Sequence, residues 1–286
     1  GNHVAVLRRT AADEFCLHVY NAISGKTLGG PWVLDPISEP LLSMDRDGQR
    51  LALADQDVAA EASAQIRVWI RGEIAQDNME DPVSPLWRLA VLESDSTPTA
   101  LTWADRELES DRLLIGDGRG MIRVHDVADQ RATPIEKAAM AELTDVVSDG
   151  AQPDRRSVLK LAGSGAGILG LAFDPDSGRL AAACEDRRIA IWDNFESTTR
   201  SLLCGLGSRP KDLAFSRGGR YLAAGSEFGA SVWRLPAPGT LPIRQEAEEV
   251  VVSPRPLGDM AITEAGEAYV IDRAGRVLRM DAETED

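Results

Sequence analysis

A unit of strand, turn, strand, turn and strand recurs along this chain, and such a repeat constrains the fold more tightly than any single residue. Its clearest copy, LAFDPDSGRLAAACEDRRIAIWD, runs from Leu171 to Asp193, and the next, DLAFSRGGRYLAAGSEFGASVWR, from Asp212 to Arg234. Weaker copies are LLSMDRDGQRLALADQ from Leu41, closing with QIRVWI around Trp69, and RLLIGDGRGMIRVHD from Arg112 to Asp126. Fragments of the pattern lie at both ends, in FCLHVYNAISGK (Phe15 to Lys26) and DMAITEAGEAYVIDRAGRVLRMD (Asp259 to Asp281). Tyr20, Trp69, His125, Trp192, Trp233 and Met280 mark equivalent positions, with separations from 41 residues (Trp192 to Trp233) to 67 (His125 to Trp192). Four strands need about 40–45 residues, so the longer intervals carry insertions.

Alternation with a period of two, as in Ile189-Ala190-Ile191-Trp192 and Ile122-Arg123-Val124-His125, points alternate side chains to opposite faces of a strand. The segments between (DPDSG, RDG, RGG, GDGRG, DRAG) are turn sequences suited to antiparallel hairpins. A doubly wound α/β fold would need regular helices between strands, and the pattern has none. The chain reads as an all-β repeat protein.

These residues resemble the WD-repeat (Trp-Asp repeat) β-propellers. LAGSGAGILGLAFDPDSGRLAAACEDRRIAIWD, Leu161 to Asp193, follows that family's repeat almost without gaps; the resemblance is strong over 159–235, moderate over 41–126 and weak at the ends. The family's Gly-His histidine falls on Ser164 here and on Leu206 in the next repeat, and its hydroxyl residue on Cys184, whereas Asp186 and Trp192 match. The usual His–Ser/Thr–Asp–Trp hydrogen-bond network therefore cannot form in its regular way, which makes this a divergent propeller. The resemblance implies one propeller domain over 1–286, incomplete at both ends, with about six repeats of four-stranded antiparallel blades. In the family each repeat supplies the outer strand of one blade and three strands of the next. That implies three-stranded first and last blades, and a seven-bladed ring completed by a missing segment or another chain; strands near Val6 and Val277 hydrogen-bonded in one closed blade would argue for a six-bladed ring instead.

Insertions occupy the long intervals. Thr133 can N-cap a helix, Pro134 suits its first position, and Glu136 completes a capping box. Ile135, Ala139, Leu143 and Val147 then form an apolar stripe with Met140 alongside. The spacing predicts one inserted helix over 134–147, within an insertion over 131–157 between the third and fourth strands of its blade. DVAAEASAQ (Asp57 to Gln65) should lengthen a hairpin. The Pro-rich stretch from Pro236 to Pro256 links two blades and supplies an outer strand around Glu248 to Val252.

Composition narrows the function classes. With 46 acidic and 31 basic side chains the formal net charge is −15, against the concentrated positive charge that nucleic-acid binding needs. No apolar run approaches the roughly 20 residues that span a bilayer. Cys16, Cys184 and Cys204 share no CxxC spacing and form no disulfide framework, which leads to the expectation of a reducing, cytoplasmic setting.

No coherent catalytic set emerges, and no catalytic, cofactor-binding or metal-binding residues are assigned. Gly165-x-Gly167-x-x-Gly170 matches the dinucleotide fingerprint formally, but that motif opens a helix and here ILGLAFDP, a strand, follows. Ser208-Arg-Pro-Lys211 has the SxxK spacing without the helix and the further elements that chemistry needs. His3, His18 and His125 lack metal-ligand spacing, and Glu185 and Asp186 beside Cys184 oppose its activation. Trp69, Trp192 and Trp233 read as blade-packing residues; Trp87 falls on an outer strand, where partial exposure is expected.

Propellers of the family use loops at the rim and face of the ring. The candidate partner-binding residues are therefore those of the second-hairpin turns: Asp117 and Arg119, Arg187 and Arg188, Glu227 and Phe228. Phe228 would serve as an aromatic anchor, and the paired arginines would take carboxylates. The function the resemblance implies is a non-catalytic protein–protein interaction scaffold within a larger regulatory or signalling protein. The alternatives are a sensor domain controlling an attached effector enzyme, or a propeller hydrolase with its site in the central channel.

Overall fold

The computed structural model describes residues 2–11, 14–56, 64–71, 87–94, 96–104, 112–127, 133–134, 159–162, 165–194, 200–204, 206–226, 229–239, 249–253, 257–272 and 276–280. All regular structure among them is β, in six antiparallel sheets. The chain divides into two compact units, Gly1–Pro98 with Ala128–Arg156, and Thr99–Val127 with Ser157–Asp286.

The first unit holds two sheets. One is a meander of β1 (His3–Arg9), β2 (Phe15–Asn21) and β3 (Thr27–Leu34). The other runs through β4 (Pro40–Met44), β5 (Arg50–Asp55), β6 (Ala64–Arg71) and β7 (Trp87–Ser94). Leu17 and Val19 on one face of β2 join Leu51, Leu53 and three tryptophans in the core of this unit. Trp69 stacks on Trp32 with centroids 5.6 Å apart, and Trp87 meets Trp32 edge-on at 5.3 Å. Trp87, expected to be partly exposed on an outer strand, is instead buried on β7, 4% exposed. Its indole N–H donates to the Leu28 carbonyl at 3.0 Å, and Gly29 leaves room for the ring, since a Cβ there would stand 2.6 Å from the indole nitrogen.

The same sheet carries a fifth piece, β11 (Thr133–Pro134), paired with Leu89 and Arg88 of β7. The predicted helix therefore does not begin at Pro134. A proline lacks the N–H of a ladder donor and is accommodated on a sheet edge, the position β11 holds. The rest of the predicted helix, 135–147, lies outside the described residues.

The second unit holds four sheets. They are β8 (Pro98–Ala104), β9 (Arg112–Asp117), β10 (Met121–Asp126) with β12 (Leu159–Ala162); β13 (Ile168–Asp174), β14 (Arg179–Cys184), β15 (Ile189–Trp192) with β16 (Ser201–Leu203); β17 (Pro210–Phe215), β18 (Tyr221–Ser226), β19 (Gly229–Arg234) with β20 (Glu249–Ser253); and β21 (Leu257–Ile262), β22 (Ala268–Asp272) with β23 (Val277–Met280). Val6 pairs with His18 and Val277 with Ile271, each inside a three-stranded sheet. β13 packs on β9, β17 on β13 and β14, and β21 on β17 and β18, so the leading strand of each later sheet meets the first or second strand of the sheet before it. Every residue of β14 is buried, which explains its run of small side chains, LAAAC between Leu180 and Cys184. A strand enclosed on both faces loses the polar–apolar alternation of a half-exposed one.

Four of the described turns between a sheet's first and second strands start with a side-chain acceptor that takes backbone N–H groups the ladder leaves over. Gln49 N–H donates to Asp45 Oδ1 (2.7 Å), Ser177 N–H to Asp174 Oδ2 (2.9 Å), Tyr221 N–H to Ser216 Oγ (2.9 Å) and Glu267 N–H to Thr263 Oγ1 (3.1 Å). Burial pushes the Asp45 carboxyl above its ordinary value, against the lowering pull of its bonds with Arg50 and Gln49. A carboxylate raised in the fold contributes most below its unfolded pKa and loses that contribution as pH rises through the folded value. Asp45→Asn keeps an acceptor for Gln49 and removes the charge. Its stability relative to the parent should therefore improve from about pH 4 to about pH 7, measured by urea unfolding at both; the opposite trend would mean that the Arg50 pair outweighs burial.

Candidate functional site

Two turns of the second unit carry exposed candidate residues, and their own backbone requirements shape them. In the β9–β10 turn, Asp117 accepts from Arg119 N–H (2.9 Å) and Met121 N–H (3.0 Å) through Oδ1, and from the Arg123 guanidinium (2.8 Å) through Oδ2. Asp117 is fully buried. Its carboxylate holds the turn together and neutralises a buried arginine, so it is not presented to a partner, unlike Arg119, which is exposed at the tip.

In the β14–β15 turn, Arg187 N–H donates to the Cys184 carbonyl (3.1 Å) and Cys184 N–H to the Arg188 carbonyl (2.9 Å). Glu185, Asp186, Arg187 and Arg188 are all exposed, and Arg188 Nε lies 3.7 Å from Asp186 Oδ2. Arg187 has φ 64°, in the left-handed region, where the matching place in the β9–β10 turn is filled by Gly120 at φ 79°. An L-residue with a Cβ is disfavoured there by roughly 1–2 kcal/mol.

Both turns rest on the loop 165–167. Glu185 N–H donates to the Gly167 carbonyl (2.9 Å). A Cβ on Gly120 would come 2.5 Å from the Ala166 carbonyl oxygen, and one on Gly167 would come 2.9 Å from that of Gly118. Arg119, Arg187 and Arg188 are thus brought to one surface, with Glu185 and Asp186 among them. Glu227 and Phe228, in the third such turn, lie outside the described residues.

The glycines of the formal dinucleotide fingerprint serve packing. Gly167 and Gly170 let backbone approach backbone, and the segment after them is β13, a strand. Likewise Ser208 Oγ bonds Ser226 Oγ at 2.6 Å, and Lys211 sits inside β17. Cys184 is buried, its thiol directed at the Ala182 carbonyl (3.6 Å). Among the described residues, no group of three or more His, Cys, Asp or Glu is placed to hold a metal ion.

Two arginines escaped the sequence reading. Arg179, wholly buried, donates from Nε to Asp193 Oδ1 (2.8 Å), from Nη1 to the Gly219 carbonyl (2.7 Å) and from Nη2 to the Pro236 carbonyl (2.7 Å). Asp193 Oδ2 in turn accepts from Gly239 N–H (2.7 Å). The aspartate of the Trp192-Asp193 dipeptide therefore belongs to a clamp joining the β13–β16 sheet to the β17–β20 sheet. The available signal was an arginine at the start of the second strand in three repeats, at Arg50, Arg112 and Arg179. Arg217, exposed, bridges Asp176 (2.8 Å) and Glu264 (3.5 Å), tying together three successive first-hairpin turns.

In the second unit, antiparallel sheets of three and four strands packed in succession, each later one by its leading strand on the sheet before, with turns as the exposed chemistry, define a β-propeller. Comparison with known proteins agrees. The family model for the WD domain, G-beta repeat, matches residues 155–193. The crystal structure of RRP9 WD40 repeats is similar with a TM-score of 0.57 at 12% identity, over 97% of this chain and 72% of that one. No curated protein matches the chain. Residues 155–193 are a WD repeat, and the fold is that of the WD-repeat β-propellers.

Proposed function

We propose that this chain is a non-catalytic protein-interaction module that binds through the surface carrying Arg119, Arg187 and Arg188, as part of a larger regulatory or signalling protein. The observation that carries this reading is Arg187. It keeps a glycine-type backbone conformation at an exposed tip where the neighbouring repeat uses glycine. Strain retained at a surface position points to a use for the side chain, and a guanidinium fits a carboxylate bidentately. The fold's likeness to an interaction family is an analogy that supports the same reading. All three cysteines are free thiols, which supports a reducing, cytoplasmic location as part of the proposal.

Arg187→Gly should raise the unfolding free energy by about 1 kcal/mol while weakening partner binding by about ten-fold or more. Photo-crosslinking side chains placed at 119 and 187 should capture a protein partner that the same group at Arg220, in a first-hairpin turn, does not. Equal capture at all three positions, or undiminished binding by Arg187→Gly, would overturn the assignment of this surface.

A further inference from the structure

Apart from the turn surface, the described residues hold one side-chain cluster with chemistry of its own, on the face of β2 opposite the tryptophan core. Cys16, His18 and Tyr20 alternate along that face, each partly exposed. Cys16 Sγ lies 3.3 Å from His18 Nε2, and the His18 ring is stacked on Tyr20, centroids 5.6 Å apart and planes 14° from parallel. The stacking fixes the imidazole beside the sulfur. Arg8 is the register partner of Cys16 on β1, which puts a guanidinium-bearing side chain on the same face, with Cβ atoms about 5 Å apart for such a pair. The other cysteines lack this setting: Cys184 is buried, and the exposed Cys204 directs its sulfur at the Leu202 carbonyl (3.9 Å). A partly exposed thiol with an adjacent base and cationic surroundings is the environment of a reactive cysteine.

We infer that Cys16 is a site of thiol–disulfide exchange with small disulfides, with His18 as proton acceptor. The Sγ–H proton moves to His18 Nε2 as Sγ attacks one sulfur of the disulfide. The new S–S bond forms as the old one breaks, and the departing thiolate takes the proton from the imidazolium. The products are a mixed disulfide on Cys16 and one free small thiol; the disulfide is the oxidant and no further reactant is needed. This site is independent of the turn surface.

The test exposes the full chain to oxidised glutathione and follows each cysteine by peptide mass spectrometry. Cys16 should be modified about ten-fold faster than Cys204, with Cys184 protected until unfolding. His18→Gln should slow Cys16 by about ten-fold and leave Cys204 unchanged, and His18→Asn should do the same. Tryptophan fluorescence of the Trp32–Trp69–Trp87 cluster, on the other face of β2, reports whether each variant keeps its fold. The inference is overturned if Cys204 reacts as fast as Cys16, or if folded His18 variants leave the Cys16 rate unchanged.

Discussion

Arg179→Ala should lower the stability of the second unit by about 3–5 kcal/mol, the range found when one partner of a buried ion pair is removed. The guanidinium is wholly buried and spends three donor groups on Asp193, Gly219 and Pro236. Truncation leaves two carbonyls without that donor and a carboxylate held only by Gly239 N–H. Arg179→Lys should recover little, because an ammonium cannot reproduce a planar fork directed at three separated oxygens. Arg179→Met restores volume but no donors, so it should stay close to alanine. Urea unfolding of these variants measures the effect, and a double-mutant cycle with Asp193→Asn separates the ion pair from the carbonyl bonds. A loss below about 1 kcal/mol, typical of exposed pairs, would show that the clamp matters little.

The second large effect is steric. Gly170, on β13, lies so close to β17 that a Cβ would stand 1.9 Å from the Lys211 carbonyl oxygen. Backbone on both sides cannot rotate away as a side chain would. Alanine for glycine at a compatible strand position ordinarily gains about 0.4–1 kcal/mol from the unfolded state. A net loss of about 2–3 kcal/mol for Gly170→Ala would therefore be due to the two sheets being forced apart. Gly207→Ala is the control: nothing stands within 4 Å of its Cβ position and its φ is not positive, so it should be neutral or slightly stabilising. Equal unfolding midpoints for the two variants would contradict the packing described.

The strands were legible because hairpin alternation and turn residues are local signals. The outer strand expected around Glu248 to Val252 is found at Glu249–Ser253; residues 240–248 before it lie outside the described residues. What failed depends on partners outside the local strand-and-turn pattern. Trp87 reads as half-exposed until Leu28 and Gly29 supply its acceptor and its space. Asp117 reads as a surface acid, because GDGRG says turn without saying that Arg123, six residues on, folds back to meet it. Thr133 and Pro134 fit a helix start as well as a sheet edge, and pairing with β7 decided between them. The exposure of Arg119, Arg187 and Arg188 was readable from turn position alone. The strain at Arg187 was not, since only backbone geometry shows that a glycine conformation is held by an arginine.

The leading-strand contacts of the second unit also bear on how such a sequence can drift. Because β13 meets β9 and β17, and β17 meets β21, the sheets form a series in which each energetic term couples adjacent members, as in one-dimensional repeat arrays. A departure in one repeat can then be compensated next door without disturbing those further along. His125 in a tryptophan position and Cys184 in a hydroxyl position are departures of this kind, and the Arg179 clamp is a local tie between two neighbours. In a series so coupled, 155–193 can match the WD-repeat family model while the same architecture extends well beyond that segment.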